Sequence, residues 1–95
     1  VLRINIGGFK VSPEEVEQIL CRHPDVREAV VLALPDPKRG EVVRAIICPT
    51  ATPPTRATLR RFCRIYLAAY KVPRVWEFRE ELPRSPLGKV LRHAL

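Results

Sequence analysis

Apolar and polar side chains alternate at the start of the chain and then give way to two adjacent glycines. Residues 3–11 run Arg-Ile-Asn-Ile-Gly-Gly-Phe-Lys-Val, and alternation of this kind is typical of a half-buried strand. Glycine within a strand pattern indicates a bulge or a bend, because it accepts backbone angles that other residues avoid. We therefore predict one strand over residues 3–11, bent or bulged at Gly7 and Gly8.

The next segment carries the signals of a helix that begins at Ser12. Ser12 and Glu15 have the spacing of a capping box, and Pro13 occupies the first helical position, where its missing N–H costs nothing. The apolar residues that follow recur at helical spacing and form one stripe: Val16, Ile19 and Leu20. The helix is predicted to end at residues 23–25, where His23 helps to terminate it.

Two apolar runs follow, separated by a loop. Val26–Leu34 is rich in Val, Ala and Leu, and Glu41–Cys48 is similarly apolar, whereas Pro35–Gly40 contains two prolines and a glycine. Short apolar runs bounded by such turn residues indicate buried strands. We predict that these two strands pair in antiparallel fashion and are joined by the loop.

A second helical pattern follows a proline-containing linker at residues 50–55. It runs from about Thr55 to Tyr70 and places its apolar residues on one face: Leu59, Phe62, Cys63, Tyr66 and Leu67. Its arginines lie toward the other side: Arg56, Arg60, Arg61 and Arg64. A charge run of this kind is usually a solvated surface, and we predict that Val72-Pro73 ends the helix.

The C-terminal part predicts a third strand, a loop and a last helix. Residues 75–78 form the strand, with Trp76 and Phe78 on the same face; a Pro/Gly loop covers residues 83–88, and residues 90–95 begin the helix. The predicted class is therefore α+β. Two helices pack on a small three-stranded sheet, with the glycine-containing strand at one end of the chain and a lysine-bearing loop at the other.

Length and composition narrow the class of protein. Ninety-five residues, 46% of them hydrophobic and 28% charged, suit one small globular domain. No apolar run approaches the roughly 20 residues that a membrane span requires, and no signal-peptide pattern opens the chain. Because the sequence lacks methionine and starts at Val1, we expect it to be a piece of a longer polypeptide and not a complete enzyme.

The cysteine and histidine spacings argue against metal and disulfide sites. Cys21, Cys48 and Cys63 are odd in number and lack C-x-x-C spacing, so we expect neither a disulfide framework nor a zinc site, and we favour a reducing, cytoplasmic location. His23 and His93 lie far apart in sequence and lack metal-ligand spacing. No Ser/His/Asp or Cys/His set indicates nucleophilic catalysis.

The formal net charge of +7 is unevenly distributed. Residues 1–50 contain 7 basic and 7 acidic side chains, whereas residues 51–95 contain 10 basic and 3 acidic ones. Such an excess attracts anions, which leaves nucleic acid, an anionic membrane, a nucleotide or a phosphorylated cofactor open. Five aromatic residues are expected mostly in core-like positions, which argues against a stacking platform for nucleic acid. They are Phe9, Tyr66, Tyr70, Trp76 and Phe78.

Two turns are candidates for ligand binding. Around Gly7-Gly8-Phe9-Lys10 the glycines would let a ligand approach the backbone beside Lys10, although a plain β-bulge explains the same residues. In residues 83–89 (Pro-Arg-Ser-Pro-Leu-Gly-Lys) two prolines stiffen the loop and Gly88 leaves space. Lys89 there precedes a predicted helix whose N-terminus would also attract a phosphate. The alternative is a solvated loop lysine, because the segment lacks the P-loop pattern.

Three segments together resemble the C-terminal domain of the adenylate-forming (AMP-binding) enzymes. They are residues 6–17 (Ile-Gly-Gly-Phe-Lys-Val-Ser-Pro-Glu-Glu-Val-Glu), residues 35–41 (Pro-Asp-Pro-Lys-Arg-Gly-Glu) and residues 70–92, which begin Tyr-Lys-Val-Pro and end Gly-Lys-Val-Leu-Arg. The likeness covers nearly the whole chain with order and spacing intact. This superfamily includes acyl-CoA synthetases, nonribosomal peptide synthetase adenylation domains and firefly luciferase, and the segments look most like those of acyl-CoA synthetases.

The resemblance implies a role for each candidate site. Lys89 would enter the active site during adenylation and contact the substrate carboxylate and the α-phosphate of ATP, with Gly88 supporting its loop. In the second half-reaction the domain would rotate and bring the glycine turn to the pantetheine arm of CoA. The implied CoA-binding residues are Gly7, Gly8, Phe9 and Lys10. ATP, CoA and Mg²⁺ are thus implied, the Mg²⁺ being bound mainly by a large N-terminal domain that residues 1–95 do not include.

The resemblance further implies that residues 1–95 are the mobile domain of an acid–thiol ligase, inactive when isolated. Its partners would be its own large N-terminal domain, ATP, a carboxylic acid and CoA, whereas nucleic acid is not expected to be one. A fatty or aryl acid:CoA ligase is the favoured interpretation. Three alternatives remain open: transfer to the phosphopantetheine of a carrier protein, a basic module that binds nucleic acid or a protein, and a degenerate, non-catalytic copy.

Overall fold

The computed structural model describes residues 3–95 and has the α+β architecture that the sequence predicts. Its strands are β1 (Ile4–Ile6), β2 (Phe9–Val11), β3 (Val26–Asp36), β4 (Gly40–Pro49) and β5 (Val75–Phe78). Its α-helices are α1 (Pro13–Leu20) and α2 (Arg56–Tyr66), and short 3-10 turns cover Ala69–Lys71 and Arg92–Ala94.

The sheet has five strands and not the three that were predicted for it. Strands β2, β1, β4 and β3 pair in that order, all antiparallel. Strand β5 pairs in parallel with residues 44–47 of β4, on the edge of β4 that faces away from β3. It follows the point on β4 where Ile6 of β1 pairs with Gly40. The β3–β4 hairpin is predicted correctly, and both of its strands extend slightly further than their apolar runs.

The glycine-containing segment forms a hairpin instead of one bent strand. Ile6 pairs with Phe9, so Gly7 and Gly8 alone make the turn between β1 and β2. Their φ angles are +56° and +95°, and a two-residue hairpin turn with positive φ at both positions matches the twist of the paired strands. Two glycines in succession therefore reverse the chain direction where the prediction had only a bulge.

Helix α1 begins as its local signals predict. The hydroxyl of Ser12 accepts a hydrogen bond from the Glu15 backbone N–H (3.4 Å), and Pro13 opens the helix. The reciprocal bond of a capping box is absent between these described residues, because the Glu15 carboxylate instead accepts from Lys71 Nζ at 3.0 Å. At the other end, the ring Nδ1 of His23 accepts from the Asp25 N–H at 3.1 Å, consistent with the terminating role predicted for it.

Helix α2 is shorter than its sequence pattern suggests. It ends at Tyr66, because Leu67 adopts an extended conformation (φ −121°, ψ 147°) that directs its side chain into the core. The chain then makes a separate 3-10 turn over Ala69–Lys71. The arginines of the predicted polar face are all exposed: Arg56, Arg60, Arg61 and Arg64.

Both faces of the β3–β4 pair are covered. On one face, the helices pack over residues that alternate along the strands, among them Val31, Ala45 and Ile47. On the opposite face, Leu82, Val90 and Leu95 cover a second cluster: Val30, Ile46 and Cys48. The C-terminal segment therefore acts as a layer of its own, and it does so with a 3-10 turn over Arg92–Ala94 where a helix from residue 90 was predicted.

The aromatic residues are more exposed than the sequence suggested. Trp76 is buried as predicted, but Phe78, which alternation places on the same face of β5, is 40% exposed. Phe9, Tyr66 and Tyr70 are also exposed, so the expectation of core-like aromatic positions is wrong for four of the five residues. Phe9, Tyr66 and Phe78 lie at the ends of elements and Tyr70 lies in a single 3-10 turn, where apolar spacing alone does not determine whether another layer covers the side chain.

The three cysteines are all free thiols. Cys48 and Cys63 are buried and Cys21 is exposed. Burial raises the pKa of the Cys63 thiol to about 11, so it stays protonated at neutral pH. Across residues 3–95, no helix combines the length and the apolar character that crossing a membrane would require.

Candidate functional site

The glycine turn is open on its outer side. The Gly7 N–H donates to the backbone carbonyl of Arg39 (2.8 Å), and the Gly8 N–H donates to Oδ1 of Asn5 (3.2 Å). A Cβ atom built on either glycine would meet no atom within 4 Å. The described part of the chain therefore requires glycine here for its positive φ, and the space beside the turn is unfilled.

The loop between β3 and β4 supports this turn. The carboxylate of Asp36 accepts from the backbone N–H groups of Lys38 (3.1 Å) and Arg39 (2.8 Å), which shapes the loop that the Gly7 N–H contacts. The Glu41 carboxylate also accepts from the Asn5 N–H at 2.8 Å. Residues 35–41, the second segment of the resemblance, are thus bonded directly to the first.

A third segment reaches the same turn from the second half of the chain. The ring of Phe9 packs on that of Tyr70 with centroids 4.9 Å apart, and Lys71 is paired with Glu15 of α1. The hydrogen bond to Glu15 raises the pKa of Lys71. Lys10 is exposed beside Phe9, and its ammonium makes no hydrogen bond to any residue that the structure describes. The four residues predicted for CoA binding are consecutive in the sequence, and the structure adds Tyr70 from the second half of the chain beside one of them.

A cavity of about 360 Å³ lies between α2 and the segment that follows it. Three arginines line it, Arg60 and Arg64 from α2 and Arg74 from the segment before β5, together with Ala69, Val72 and Pro73. None of the three guanidinium groups forms an ion pair with another described residue, so their positive charge faces the cavity uncompensated. Sequence reasoning could not choose among the arginines of the second half, and it overlooked Arg74, whose only signal was its place directly after Pro73.

Lys89 lies on a short hairpin and not at the start of a helix. Arg84 forms a β-bridge with Val90, and the Ser85 N–H donates to the Lys89 carbonyl at 2.8 Å. The Gly88 N–H donates back to the Ser85 carbonyl at 2.9 Å, and Gly88 has φ +87°, which is the glycine position of a three-residue hairpin loop. Gly88 thus supports the loop by its conformation, and no helix N-terminus lies behind Lys89.

Three further contacts hold the lysine hairpin. The guanidinium of Arg84 donates to the Gly88 carbonyl at 2.9 Å and forms an ion pair with Glu28 of β3. The Lys89 N–H donates to the Ser85 hydroxyl at 3.2 Å. The side chain of Lys89 itself is exposed, and within residues 3–95 nothing accepts a hydrogen bond from its ammonium.

The two predicted sites lie at opposite ends of β3. The lysine hairpin is attached at Glu28, whereas the glycine turn contacts the loop that begins after Asp36. From Glu28 to Asp36 the strand rises by eight residue steps, which corresponds to about 26 Å. The structure therefore does not bring Lys89 and the glycine turn together.

The described residues contain no group of three or more His, Cys, Asp or Glu side chains that could hold a metal ion. The carboxylates near the sites have other partners, since Glu15 pairs with Lys71 and Glu28 pairs with Arg84. That Mg²⁺ is bound mainly by a larger domain stays a prediction.

Comparison with known proteins identifies the family. Residues 15–89 match the model of the AMP-binding enzyme C-terminal domain. The chain belongs to this family. It is 40% identical over 92 residues, 97% of its length, to a long-chain-fatty-acid–CoA ligase of Escherichia coli O6:H1.

Two solved structures show the same fold as this AMP-binding C-terminal domain. A fatty acyl CoA synthetase of Mycobacterium tuberculosis is 36% identical with a TM-score of 0.91 over 97% of the chain. The amide bond synthetase McbA of Marinactinospora thermotolerans is 35% identical with a TM-score of 0.92, also over 97%. The chain covers only 16% of the E. coli ligase and 18% and 19% of these two structures. Its relatives are thus much longer enzymes.

Proposed function

We propose that this chain is the mobile C-terminal domain of an acyl-CoA synthetase. The enzyme would activate a carboxylic acid with ATP to an acyl-adenylate and transfer the acyl group to CoA. The observation that carries the proposal is the presence of two separately built, outward-facing sites, an exposed lysine on a braced hairpin and an exposed glycine turn, whose anchors lie toward opposite ends of β3. One domain can serve one active site with both only by presenting them in turn.

Lys89 is the proposed adenylation residue. Attack of the substrate carboxylate on the α-phosphate of ATP develops negative charge on the phosphoryl oxygens, and a positioned ammonium stabilises that charge. The unpaired ammonium of Lys89 is available for this role because no described residue binds it. Leu87, two residues earlier, is 90% exposed, and an apolar side chain at the tip of a hairpin suits insertion into a larger domain.

The glycine turn is the proposed wall of the pantetheine route. Its outer surface is free of chain atoms at both glycines, so a thin chain could pass close to the backbone. Phe9, backed by Tyr70, would form one side of the route and Lys10 would supply a nearby charge. The thiol at the end of the pantetheine would then attack the acyl-adenylate and release AMP.

The arginine-lined cavity is the proposed place for phosphate groups of CoA. Arg60, Arg64 and Arg74 present donors suited to phosphate oxygens, and Ala69 in the cavity wall directly precedes Tyr70, whose ring packs on Phe9 of the glycine turn. A molecule that carries a flexible arm and phosphates at its other end could span both features. Cationic groups close to one another and without carboxylate partners are what a multiply charged anion requires.

Carboxylate-dependent ATP–pyrophosphate exchange tests the adenylating function. The experiment uses the full-length polypeptide that carries this chain, as wild type, as Lys89→Ala and, as a matched control, as Lys38→Ala on an exposed loop. We expect exchange with the wild type and the control and a loss of at least about 100-fold with Lys89→Ala. Exchange that persists without Lys89 would overturn its role, and no exchange with a broad panel of acids would overturn the enzymatic function.

The second candidate function differs from the first in the molecule that accepts the acyl group. The similarity to an amide bond synthetase, at 35% identity over 97% of the chain, supports testing acceptors other than CoA. Product analysis with free CoA, with a carrier-protein phosphopantetheine and with an amine would separate them. We expect the isolated chain not to bind nucleic acid at moderate salt, whereas binding there that weakens steeply as salt is added would favour the basic-module alternative. Cytoplasmic location and a fatty acid as substrate belong to the same proposal.

A further inference from the structure

Arg92, three residues after Lys89, reaches around the free edge of the sheet. Its Nη1 donates to Oε2 of Glu17 in α1 at 3.1 Å, and its Nη2 donates to the backbone carbonyl of Val31 in β3. The same Glu17 oxygen accepts from the Val31 N–H at 2.8 Å. Glu17, Arg92 and Val31 thus form a closed ring of hydrogen bonds, which we call the edge clamp.

The edge clamp satisfies a strand edge that no other strand covers. Strand β3 is the last strand in the order β2-β1-β4-β3, so its outward N–H and C=O groups lack a strand partner. The two polar groups of Val31 are bound instead by the carboxylate of Glu17 and the guanidinium of Arg92. Both side chains are mostly buried, with 20% and 33% of their areas exposed, which strengthens these charge-assisted bonds.

The clamp joins the two layers that cover opposite faces of the sheet. Glu17 belongs to α1, on the helix-covered face, whereas Arg92 belongs to the C-terminal segment on the other face. The Nε of Arg92 is buried with no hydrogen-bond partner among residues 3–95. A buried unpaired donor has a cost, so the orientation of this side chain is governed by the two bonds at its tip.

The lysine hairpin is therefore held on both arms by arginine–glutamate pairs. Arg84 fixes the first arm to Glu28, and Arg92 fixes the chain directly after the second arm to Glu17. The only residues between Lys89 and Arg92 are Val90, which packs on the second core cluster, and Leu91, whose N–H donates to the Pro83 carbonyl at 2.8 Å. Displacement of Arg92 would thus move the backbone that carries Lys89.

Resting on the proposed adenylation role of Lys89, we propose that Arg92 and Glu17 are positioning residues for that lysine. Neither side chain contacts substrate in this arrangement. They act by fixing the hairpin so that the Lys89 ammonium is delivered to the reacting phosphate in one orientation. Misplacement of a catalytic group by about 1 Å costs on the order of 100-fold in rate.

The test compares the two half-reactions in the full-length enzyme. We expect Arg92→Gln to lower the rate of ATP–pyrophosphate exchange about 10- to 100-fold and to leave thioester formation from supplied acyl-adenylate within about twofold of wild type. Glu17→Gln, in a different element and unable to reach the lysine, should lower exchange in the same selective way. Because the two residues act as one unit, the double variant should lose no more than Arg92→Gln alone.

Arg79→Gln is the matched control. Arg79 pairs with Glu77 at 2.5 Å and is as exposed as Arg92, and it forms no hydrogen bond or ion pair with residues 84–91. We expect this variant to leave both half-reactions unchanged. Arg92→Lys keeps the charge but cannot bind Glu17 and Val31 at the same time as the guanidinium does, so it should give an intermediate loss of ATP–pyrophosphate exchange. This variant replaces Arg92→Gln in the test if Arg92→Gln fails to fold.

Hydrogen exchange adds a measurement independent of activity. In Arg92→Gln, amide exchange should be faster at Val31 and over residues 84–91 and unchanged in β4. Three results would each overturn the proposal: an equal loss of both half-reactions, additive losses in the double variant, or unchanged amide hydrogen exchange in the hairpin. If Lys89→Ala abolishes adenylation while Arg92→Gln does not affect it, only the positioning role fails. If Lys89→Ala has no effect, the proposed function itself is wrong.

Discussion

The ring of Phe9 packs against that of Tyr70, with centroids 4.9 Å apart and planes inclined by 32°. This contact joins the glycine turn of the first half of the chain to the segment after α2, and Lys71 strengthens it by pairing with Glu15. Phe9 is nevertheless 60% exposed, so the pair presents an aromatic surface to whatever lies outside the domain. In the proposed enzyme that neighbour is the pantetheine arm.

Removal of Tyr70 should therefore impair the second half-reaction selectively. Tyr70→Ala leaves Phe9 without its backing ring, and an aromatic pair contributes about 0.5–1.5 kcal/mol. We expect the KM for CoA in thioester formation to rise about 3- to 10-fold, with ATP–pyrophosphate exchange unchanged. Tyr70→Phe should behave as wild type.

Tyr66→Ala is the control for Tyr70, because Tyr66 is similarly exposed and packs on Phe62 and Arg22, away from the glycine turn. Steady-state kinetics of both half-reactions distinguish the two variants. If Tyr70→Ala did not change the KM for CoA, or if Tyr66→Ala raised it equally, the aromatic pair would have no part in the pantetheine route.

Substitutions at Gly8 separate backbone strain from lost space. Both Gly8→Ala and Gly8→Leu must adopt φ +95°, so both are expected to destabilise the domain by about 1–2 kcal/mol. Within the described chain neither side chain meets another atom at Cβ, so the extra bulk of leucine projects outward. We expect Gly8→Leu to slow thioester formation at least about 10-fold more than Gly8→Ala does, with adenylation equal in the two.

Thermal unfolding of both Gly8 variants checks that their losses of stability match. Similar rates of thioester formation in the two would mean that glycine is present only for its backbone conformation. The space beside the turn would then have no part in CoA transfer.

Local signals explain what could be predicted of the fold. Ser12 and Pro13 define the start of α1 through bonds within a few residues, and the structure confirms it. The end of α2 depends instead on Leu67, whose extended backbone is stabilised by burial against distant elements. For Gly7 and Gly8 the sequence predicts a bulge where the structure has a hairpin, because the sequence does not state the sign of φ at either glycine.

The candidate site likewise has parts that the sequence indicates locally and parts that depend on contacts between distant elements. Lys89 and the glycine turn are candidates on their residues alone, but only the resemblance gives them roles, since the same residues also suit a solvated lysine and a bulge. The arginine cavity requires α2 and the segment at Arg74 to meet in space, and the edge clamp joins Glu17 to Arg92 from opposite ends of the chain. Contacts between elements so far apart in sequence leave no local pattern to detect.

The arginine cavity predicts a dependence on the phosphates of the acceptor. Arg64→Ala removes one of three donors, and a hydrogen bond to a charged group contributes about 1.5–3 kcal/mol. The KM for CoA should therefore rise at least about 10-fold, whereas the kinetics with pantetheine, which carries no phosphate, should equal those of wild type.

Arg56→Ala is the control for the cavity, because Arg56 lies on the same helix and is exposed but does not line the cavity. Thioester formation with both acceptors, measured at fixed ionic strength, gives the comparison. An equal loss with CoA and pantetheine would show that Arg64 acts on the fold and not on the phosphates. Equal effects of Arg56→Ala and Arg64→Ala would mean that the positive charge of the domain attracts CoA in general and that the cavity is not a specific phosphate site.

The ion pair that ties β4 to β5 predicts a pH dependence of stability. Glu77 accepts from Arg44 at 2.8 Å and from Arg79 at 2.5 Å, and the hydrogen bond from Arg44 is the main reason that the pKa of Glu77 lies below its usual 4.5. A carboxylate whose pKa is lower in the folded state stabilises that state above the unfolded pKa. The contribution is lost as the pH falls through the folded pKa. Because the pair is partly exposed, we expect at most about 1 kcal/mol.

Urea unfolding of the 95-residue chain as wild type and as Glu77→Gln measures this contribution. The wild type should be the more stable at pH 7, the difference should persist down to about pH 5, and it should shrink below pH 4.5 as Glu77 binds a proton in both states. Glu80→Gln, at an exposed position nearby, should show no such trend. A difference that stays constant from pH 7 to pH 3 would mean that the Glu77 carboxylate stabilises the β4–β5 pairing by shape and not by charge.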